Sequence, residues 1–590
     1  MNDRLAGLVP CPRSVRALEG TFALAQRPTV IISGNNRPAD LSAQRAVSRV
    51  LATIPWPDQR PGPAQPNSTT PQVTVTITSD LGDEAYRLTI SPDGISIEAG
   101  GSPGAFYAAQ TLRQLLPDAA WRAATATSTA TTDDTTSTNA WHLPCAEIED
   151  APALAWRGGH IDVARHFFPE HELLRLIDAY AALKLNRLHL HLTDDQGWRV
   201  ESRRYPRLHE VGSHRPRTRL THSKDPDAAY DETPHGGYYT LADLAEISAY
   251  AADRMITVVP EIEVPGHASA LLAALPELGA GDPPEGGYHV IPDWGIFPYL
   301  MSPLPETMQF LRDIFGELLT AIKTPYVHIG GDECVLDSWR DDPEIDAYRQ
   351  QRGLASAAEL HAAFLRDVAD MLAREFGVRA VVWDEGFASS GDRPGMLRQD
   401  TIVMAWRGLE IARRAAEAGH DVVAAPVLPT YFDYYQSDLE TEPGGIGGPV
   451  GVMDVAAFSP VPGEWPASAR EHLIGAQFQV WTEYIRNGRE LEYMIFPRAV
   501  ALAQVAWAGQ ASMAGQPGRL PDGTELPAEL AARLTAHLGR LDAAGVEYRP
   551  LAGPRPWQEG GTGPRRHRSG YRVRDVTAHL DELAAAAEGA

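Results

Sequence analysis

Pro325–Glu333, PYVHIGGDE, runs from a short β-forming stretch into two glycines and two adjacent carboxylates. Successive side chains on a strand point to opposite faces, so an unbroken strand would send Asp332 and Glu333 apart. Gly330 and Gly331 release them from that alternation, and both acids can turn into one pocket at the strand's C-terminal end. Two carboxylates sharing a pocket interact, and one is expected to hold a proton near neutral pH. A protonated acid beside an ionised one suits glycoside cleavage, where the leaving oxygen needs a proton while positive charge grows at the sugar carbon. A DE pair taken alone is most often a polar surface turn, so its surroundings decide.

Outward from this stretch, β-rich runs alternate with helical patterns from Trp156 onward, the texture of parallel βα units. Eight strands are expected: Gly158 to Val163, Arg187 to Leu192, Ile256 to Ile262, Tyr326 to Ile329, Ala380 to Trp383, Ile402 to Trp406, Asp421 to Ala425 and Ala476 to Trp481. Helical patterns lie between most of them, among them His171 to Leu183, Leu241 to Arg254, Glu306 to Ile322, Ala357 to Phe376 and Leu409 to Ala418. Eight such units predict an α/β chain whose centre is a (β/α)8 TIM barrel over 151–510, with its active site at the C-terminal strand ends. Residues 1–150 carry strand-like runs (Thr29 to Ile32, Gln72 to Ile77, Tyr86 to Ile90, Ile95 to Ile97) and one helical segment, Ala105 to Leu116, which reads as a small α+β domain. Two polar low-complexity pieces, Pro61 to Gln72 and Ala124 to Ala140, read as loops. Residues 511–551 are expected to form C-terminal helices packing on the barrel, and 552–590 a tail without assigned role, closed by an amphipathic helix over Val576 to Ala587.

At 590 residues the chain is long enough for two to four domains at roughly 150 residues each. Apolar content of 44% with 22% charged residues is ordinary for a folded protein, and no run of about 18 apolar residues offers a membrane span. A net charge of −25 opposes phosphate backbones and anionic bilayers, so neither nucleic acid nor membrane is an expected partner, and a neutral substrate fits better. Cys11, Cys145 and Cys334 are too few and too scattered for a disulfide framework or a cysteine metal site. The N-terminal MNDRLAGLVPCPRSV lacks a basic region followed by an apolar stretch, so the chain reads as cytoplasmic.

The expected strand ends and following loops gather polar and aromatic groups: Arg157, Asp162, Arg165 and His166; His189, His191, Asp194, Asp195 and Trp198; Glu261, Glu263 and His267; Asp332 and Glu333; Trp383, Asp384 and Glu385; Trp406; Tyr431 and Asp433; Trp481 and Glu483. Singly, each has a structural explanation. Jointly, charges at nearly every mouth are expensive for an inert scaffold.

RGGHIDVARHFFP (157–169), LNRLHLHLTDDQGWRVE (185–201), VVPEIEVPGHASA (258–270), HIGGDE (328–333), VVWDEG (381–386), YFDYYQ (431–436) and QVWTEY (479–484) together resemble glycoside hydrolase family 20, the β-N-acetylhexosaminidases, from about Leu8 to Leu551. The resemblance implies an α+β domain before a catalytic barrel, and retaining, exo-acting hydrolysis of terminal β-linked GlcNAc or GalNAc glycosides. It implies Glu333 as general acid and then base, with Asp332 steadying the substrate's 2-acetamido group, whose oxygen attacks the anomeric carbon through an oxazolinium intermediate. Arg157 matches the arginine that grips the 3- and 4-hydroxyls. Trp383, Trp406 and Trp481 match the walls around the acetamido methyl, Tyr431 the donor to the acetamido oxygen, and Asp433 and Glu483 the hydroxyl-binding acids. Asp194 and His267 match the polar support of the catalytic pair. Asp195, His191 and Glu263 are expected behind them.

The chain departs from the pattern at His160, where an aliphatic residue is usual, at Ala456 and Ala457, and over Gly281 to Leu300, which has no familiar form. Within the family, activity on disaccharide units stays open, as does a homodimer. Outside it, His189, His191, His267 and Asp332 could be drawn as a metal set, although the strand ending in WTE supplies no ligand pattern, and no metal or cofactor is expected. A non-catalytic amino-sugar-binding protein would not need the acid pair, and the DxxDxDxE spacing of family 18 is absent.

Overall fold

The computed structural model describes residues 3–560 except 25, 34–36, 57–70, 123–139, 224, 226, 391–394, 510–516 and 520–524. Most of both low-complexity pieces, and the expected helix over Val576 to Ala587, therefore lie outside the described residues.

The first domain is a six-stranded mixed sheet of β1 (Ser14–Leu24), β2 (Thr29–Ile32), β3 (Gln72–Ile77), β4 (Tyr86–Ser91), β5 (Gly94–Ala99) and β6 (Trp141–Asp150), in the order β1-β6-β4-β5-β3-β2. Alternation sets its inner face: Tyr86, Leu88 and Ile90 of β4 are buried, and Ile95, Ile97 and Ala99 of β5 register against them. Two helices, α1 (Pro38–Ala52) and α2 (Ser102–Gln114), pack together on this sheet.

Eight parallel strands close the second domain into a barrel: β7 (Trp156–Asp162), β8 (Arg187–His191), β9 (Thr257–Glu261), β10 (Tyr326–His328), β11 (Arg379–Trp383), β12 (Ile402–Ala405), β13 (Val422–Ala424) and β14 (Leu473–Phe478). All eight expected strands are present, and β14 starts and ends three residues earlier than expected, leaving Trp481 in the loop beyond it. Strands covered on both faces read as continuous apolar runs rather than alternating ones, and β11, β12 and β13 do (RAVVW, IVMA, VVA).

The barrel interior below the mouth is less usual. Register places Glu261 opposite both His191 and His328. Its carboxylate lies 2.7 Å from His328 Nδ1 and 3.1 Å from His189 Nε2, and it makes a short contact with His191 Nδ1. Burial raises the pKa of Glu261, but the surrounding histidines outweigh it and hold the carboxyl well below its usual range. This anion in turn counters the burial that would discharge His191, whose pKa is pushed up to about 10.

The segment expected to pack on the barrel contacts both domains. Helix α3 (Ala528–Ala544) reaches the first domain, where Arg540 donates to the carbonyls of Gly7 at 3.0 Å and Gln114 at 3.2 Å. The stretch after it returns to the barrel, with Arg549 paired to Glu442 at 2.7 Å. No described helix is long and apolar enough to cross a membrane.

Candidate active site

A cavity of about 220 Å³ opens at the C-terminal ends of the strands, lined among others by Arg165, Asp194, His267, Asp332, Glu333, Trp383, Trp406, Tyr431, Asp433, Trp481 and Glu483. Every site residue expected from the sequence faces this cavity except Arg157.

Beyond β10 the chain turns sharply, with left-handed φ at Gly330 (61°), Gly331 (98°) and Glu333 (50°). A methyl group at Gly330 would lie 1.8 Å from Glu263 Oε2, so glycine is required there for both conformation and space. A non-glycine residue held at positive φ costs on the order of 1–3 kcal/mol and persists only where its surroundings over-determine it. Glu333 and His267 (φ 49°) are two such residues, and they meet: His267 Nε2 is 3.5 Å from Glu333 Oε2 and 3.7 Å from Asp332 Oδ2.

Charge is relayed behind this pair. His267 Nδ1 lies 3.1 Å from Asp195 Oδ2 and 3.3 Å from Asp194 Oδ1, and Asp194 is held by Arg165 Nη2 at 2.8 Å and His191 Nε2 at 2.9 Å. Burial alone would discharge His267, but Asp194 and its other acidic neighbours raise its pKa well above the usual value and keep it cationic. Burial pushes Asp332 up to about 6; His267 opposes this and the neighbouring Glu333 adds to it. Glu263, behind Gly330, is driven well above the carboxylate range by burial and by the charge of Asp332, and neither of its oxygens has a hydrogen-bond partner.

The walls are aromatic. Trp383 and Trp481 lie 6.0 Å apart between ring centres, Tyr431 stacks on Trp406 at 6.4 Å, and the Trp406 indole donates to Glu385 at 2.8 Å. Burial, with the charge of Glu483, raises Asp433 well above its usual range. Four polar atoms of the lining are buried without a partner: Asp332 Oδ1, Asp433 Oδ1, and the indole nitrogens of Trp294 and Trp383. Leaving such groups without partners costs about 1–3 kcal/mol each, and a polar ligand in this cavity could pair with them.

Arg157 is a correction. It is the second residue of β7, at the opposite end of the barrel, where it is 1% exposed and pairs with Glu84 at 2.6 Å across the domain boundary, besides donating to the Lys184 and Leu154 carbonyls. The arginine in the pocket is Arg165, eight residues on and past the strand's C-terminal end. Asp162 accepts from the amides of Ala164 and Arg165 at 2.8 and 3.0 Å and forms the tight turn that aims it. The direction of β7 was the signal that separates the two, since only the C-terminal end of a barrel strand reaches the site. Arg157→Met should therefore lower stability by about 1–3 kcal/mol, since Glu84 loses its cation but is part-exposed and keeps Tyr107 and Asn186 as donors, while folded protein keeps its kcat and KM. Denaturant melts and steady-state kinetics on the same preparation check this.

The four groups of the metal alternative are split. His189 and His191 turn to Glu261 beneath the cavity, and only His267 and Asp332 line it. A barrel mouth with paired acids, a buried histidine relay and aromatic walls around a sugar-sized cavity defines a glycoside hydrolase.

Comparison with known proteins agrees. The model of the glycosyl hydrolase family 20 catalytic domain matches residues 154–510, and that of the family's domain 2 matches 6–151. The chain belongs to glycosyl hydrolase family 20. It is 32% identical over 567 residues to a β-hexosaminidase of Porphyromonas gingivalis, covering 95% of this chain and 66% of that one. It is 36% identical over 441 residues to a β-N-acetylhexosaminidase of Cellulomonas fimi, covering 74% and 77%. The crystal structure of a family 20 exo β-N-acetylglucosaminidase from Vibrio harveyi, in complex with N-acetylglucosamine, superposes with a TM-score of 0.73 at 30% identity, covering 93% of this chain and 79% of that one.

Proposed function

We propose that this chain is a retaining, exo-acting β-N-acetylhexosaminidase that removes terminal β-linked GlcNAc or GalNAc by using the substrate's own acetamide as nucleophile. The observation that carries this is the side-by-side placement of Asp332 and Glu333, both against His267. A protein nucleophile would have to face the acid across the scissile bond at about 5 Å, and adjacent residues on one turn do not do that. The other carboxylates of the cavity have different employment: Asp194 is neutralised by Arg165, and burial holds Asp433 and Glu483 toward their uncharged forms.

In this reading Glu333 protonates the leaving oxygen while the acetamido carbonyl oxygen closes on the anomeric carbon. Asp332 accepts from the acetamido N–H and stabilises the cationic ring that results. Tyr431 donates to the acetamido oxygen, and Trp383, Trp406 and Trp481 enclose the methyl group, which excludes water until the leaving group departs. Water then adds with Glu333 as base, and two inversions give retention. The intramolecular attack gains from a large effective molarity that the protein only has to orient. The cavity is open at one side, so the aglycone can extend outward from a hexosamine seated among the tryptophans.

Nitrophenyl β-glycosides differing only at C2 test this. The 2-acetamido compound should turn over at least about 1,000-fold faster than the 2-hydroxy compound, and comparable rates would sink the proposal.

A further inference from the structure

The segment Gly281 to Leu300, which matches nothing familiar in sequence, supplies Trp294, Gly295 and Ile296 to the cavity. It is fastened beside the site: Ile291 N donates to the Asp195 carbonyl at 3.0 Å, Gln196 donates to the Asp293 carbonyl at 2.9 Å, and Tyr230 donates to the Asp293 carboxylate at 2.6 Å. Gln196 is also the acceptor for Arg165 Nε at 2.9 Å, so the segment and the pocket arginine share one support.

Trp294 is 5% exposed and lies 5.8 Å from the ring of His166 and 6.3 Å from that of Tyr484, with the Arg215 guanidinium 5.6 Å from its centre. His166 directly follows Arg165, and Tyr484 directly follows Glu483. Trp294 thus lines the cavity together with Arg165 and Glu483, packed against the residues that follow each of them, while Asp332 and Glu333 lie against His267 on the far side of Asp194. Its indole nitrogen is buried with no partner. Indole N–H is a donor only, and Asp433 Oδ1, an acceptor in the same lining, is unpartnered too. A sugar hydroxyl both gives and accepts a hydrogen bond, and so matches both kinds of group.

Resting on the reading above, we propose that Trp294 is a specificity-determining residue: its Nε1–H donates to a hydroxyl on the edge of the terminal hexosamine remote from the anomeric carbon (C3, C4 or C6), and its ring blocks any substituent there. The enzyme would thus demand a free, unsubstituted terminal sugar through a residue that the familiar motifs do not contain.

The test compares wild type and Trp294→Phe, which keeps a flat ring and loses the N–H, on nitrophenyl N-acetyl-β-glucosaminide and its 3-, 4- and 6-deoxy analogues. The variant should lose about 3- to 10-fold in kcat/KM on the parent, and less than about 2-fold on the one analogue that lacks the receiving hydroxyl. Equal loss on all four would mean that the indole only packs, and no loss on the parent would mean that the bond does not form; either overturns the proposal. A second measurement needs no variant: wild type should reject at least one O-methyl ether at C3, C4 or C6 by 100-fold or more, and acceptance of all three also overturns it. Wild type that cleaves the parent yet fails these tests leaves the proposed activity standing, whereas wild type inert on the parent removes both.

Discussion

Glu333→Gln is expected to lower kcat on N,N′-diacetylchitobiose by about 10²–10⁴, and to lower it on a nitrophenyl glycoside by at least tenfold less. A sugar alkoxide leaves poorly without a proton, whereas nitrophenolate needs little help, so the gap between the substrates isolates proton donation from every other contribution. Glutamine preserves length, shape and the hydrogen-bonding reach toward His267, and it takes the left-handed backbone at 333 no worse than glutamate does. The variant should accordingly melt within a degree or two of wild type. Equal loss on both substrates would move the general acid elsewhere in the pocket.

The barrel and most of the site were legible because barrel chemistry concentrates at predictable places. Apolar runs such as AVVW and IVMA announce doubly covered strands, and whatever follows such a run must stand at the mouth. What stayed hidden has physical reasons. The edge strand β1, SVRALEGTFAL, is exposed along most of its length and lacks the alternation that marks a half-buried strand. Its partner β6 begins directly after a stretch of Ala, Thr, Ser and Asp that masks its start. Arg157 and Arg165 stand in one motif, and only strand direction separates them: an arginine two residues into a strand lies at the barrel floor. Trp294 left no signal, since a lone tryptophan in a Pro- and Gly-rich segment is as often packing as contact, and only its orphaned nitrogen in three dimensions singles it out. His160, unusual in sequence, packs its ring 4.5 Å from Trp481 below the pocket and is driven by burial well below its usual pKa, so it enters the core as a neutral group.

Asp332→Asn should separate activity from stability in opposite directions. On the proposed mechanism its carboxylate matters most once the acetamide turns cationic, so its removal should lower kcat by about 10²–10³ with little change in KM. The fold, however, holds that carboxyl at about 6 against an ordinary 3.8, chiefly by burying it. Below the ordinary value both folded and unfolded chains carry the proton, and the group contributes nothing. Between the two values the folded chain binds more protons than the unfolded one, so stability falls as pH rises through that window, and above about 6 a penalty of about 3 kcal/mol persists. Asparagine cannot ionise and escapes it. The variant should therefore match wild type near pH 4 and exceed it at pH 7.5, which thermal melts at the two pH values would read as a difference in midpoint that grows with pH. A variant equally or less stable at pH 7.5 would mean that Asp332 ionises without strain. The expected result would instead place part of the catalytic power in the native fold's tolerance of a buried charge that an amide of the same shape does not carry.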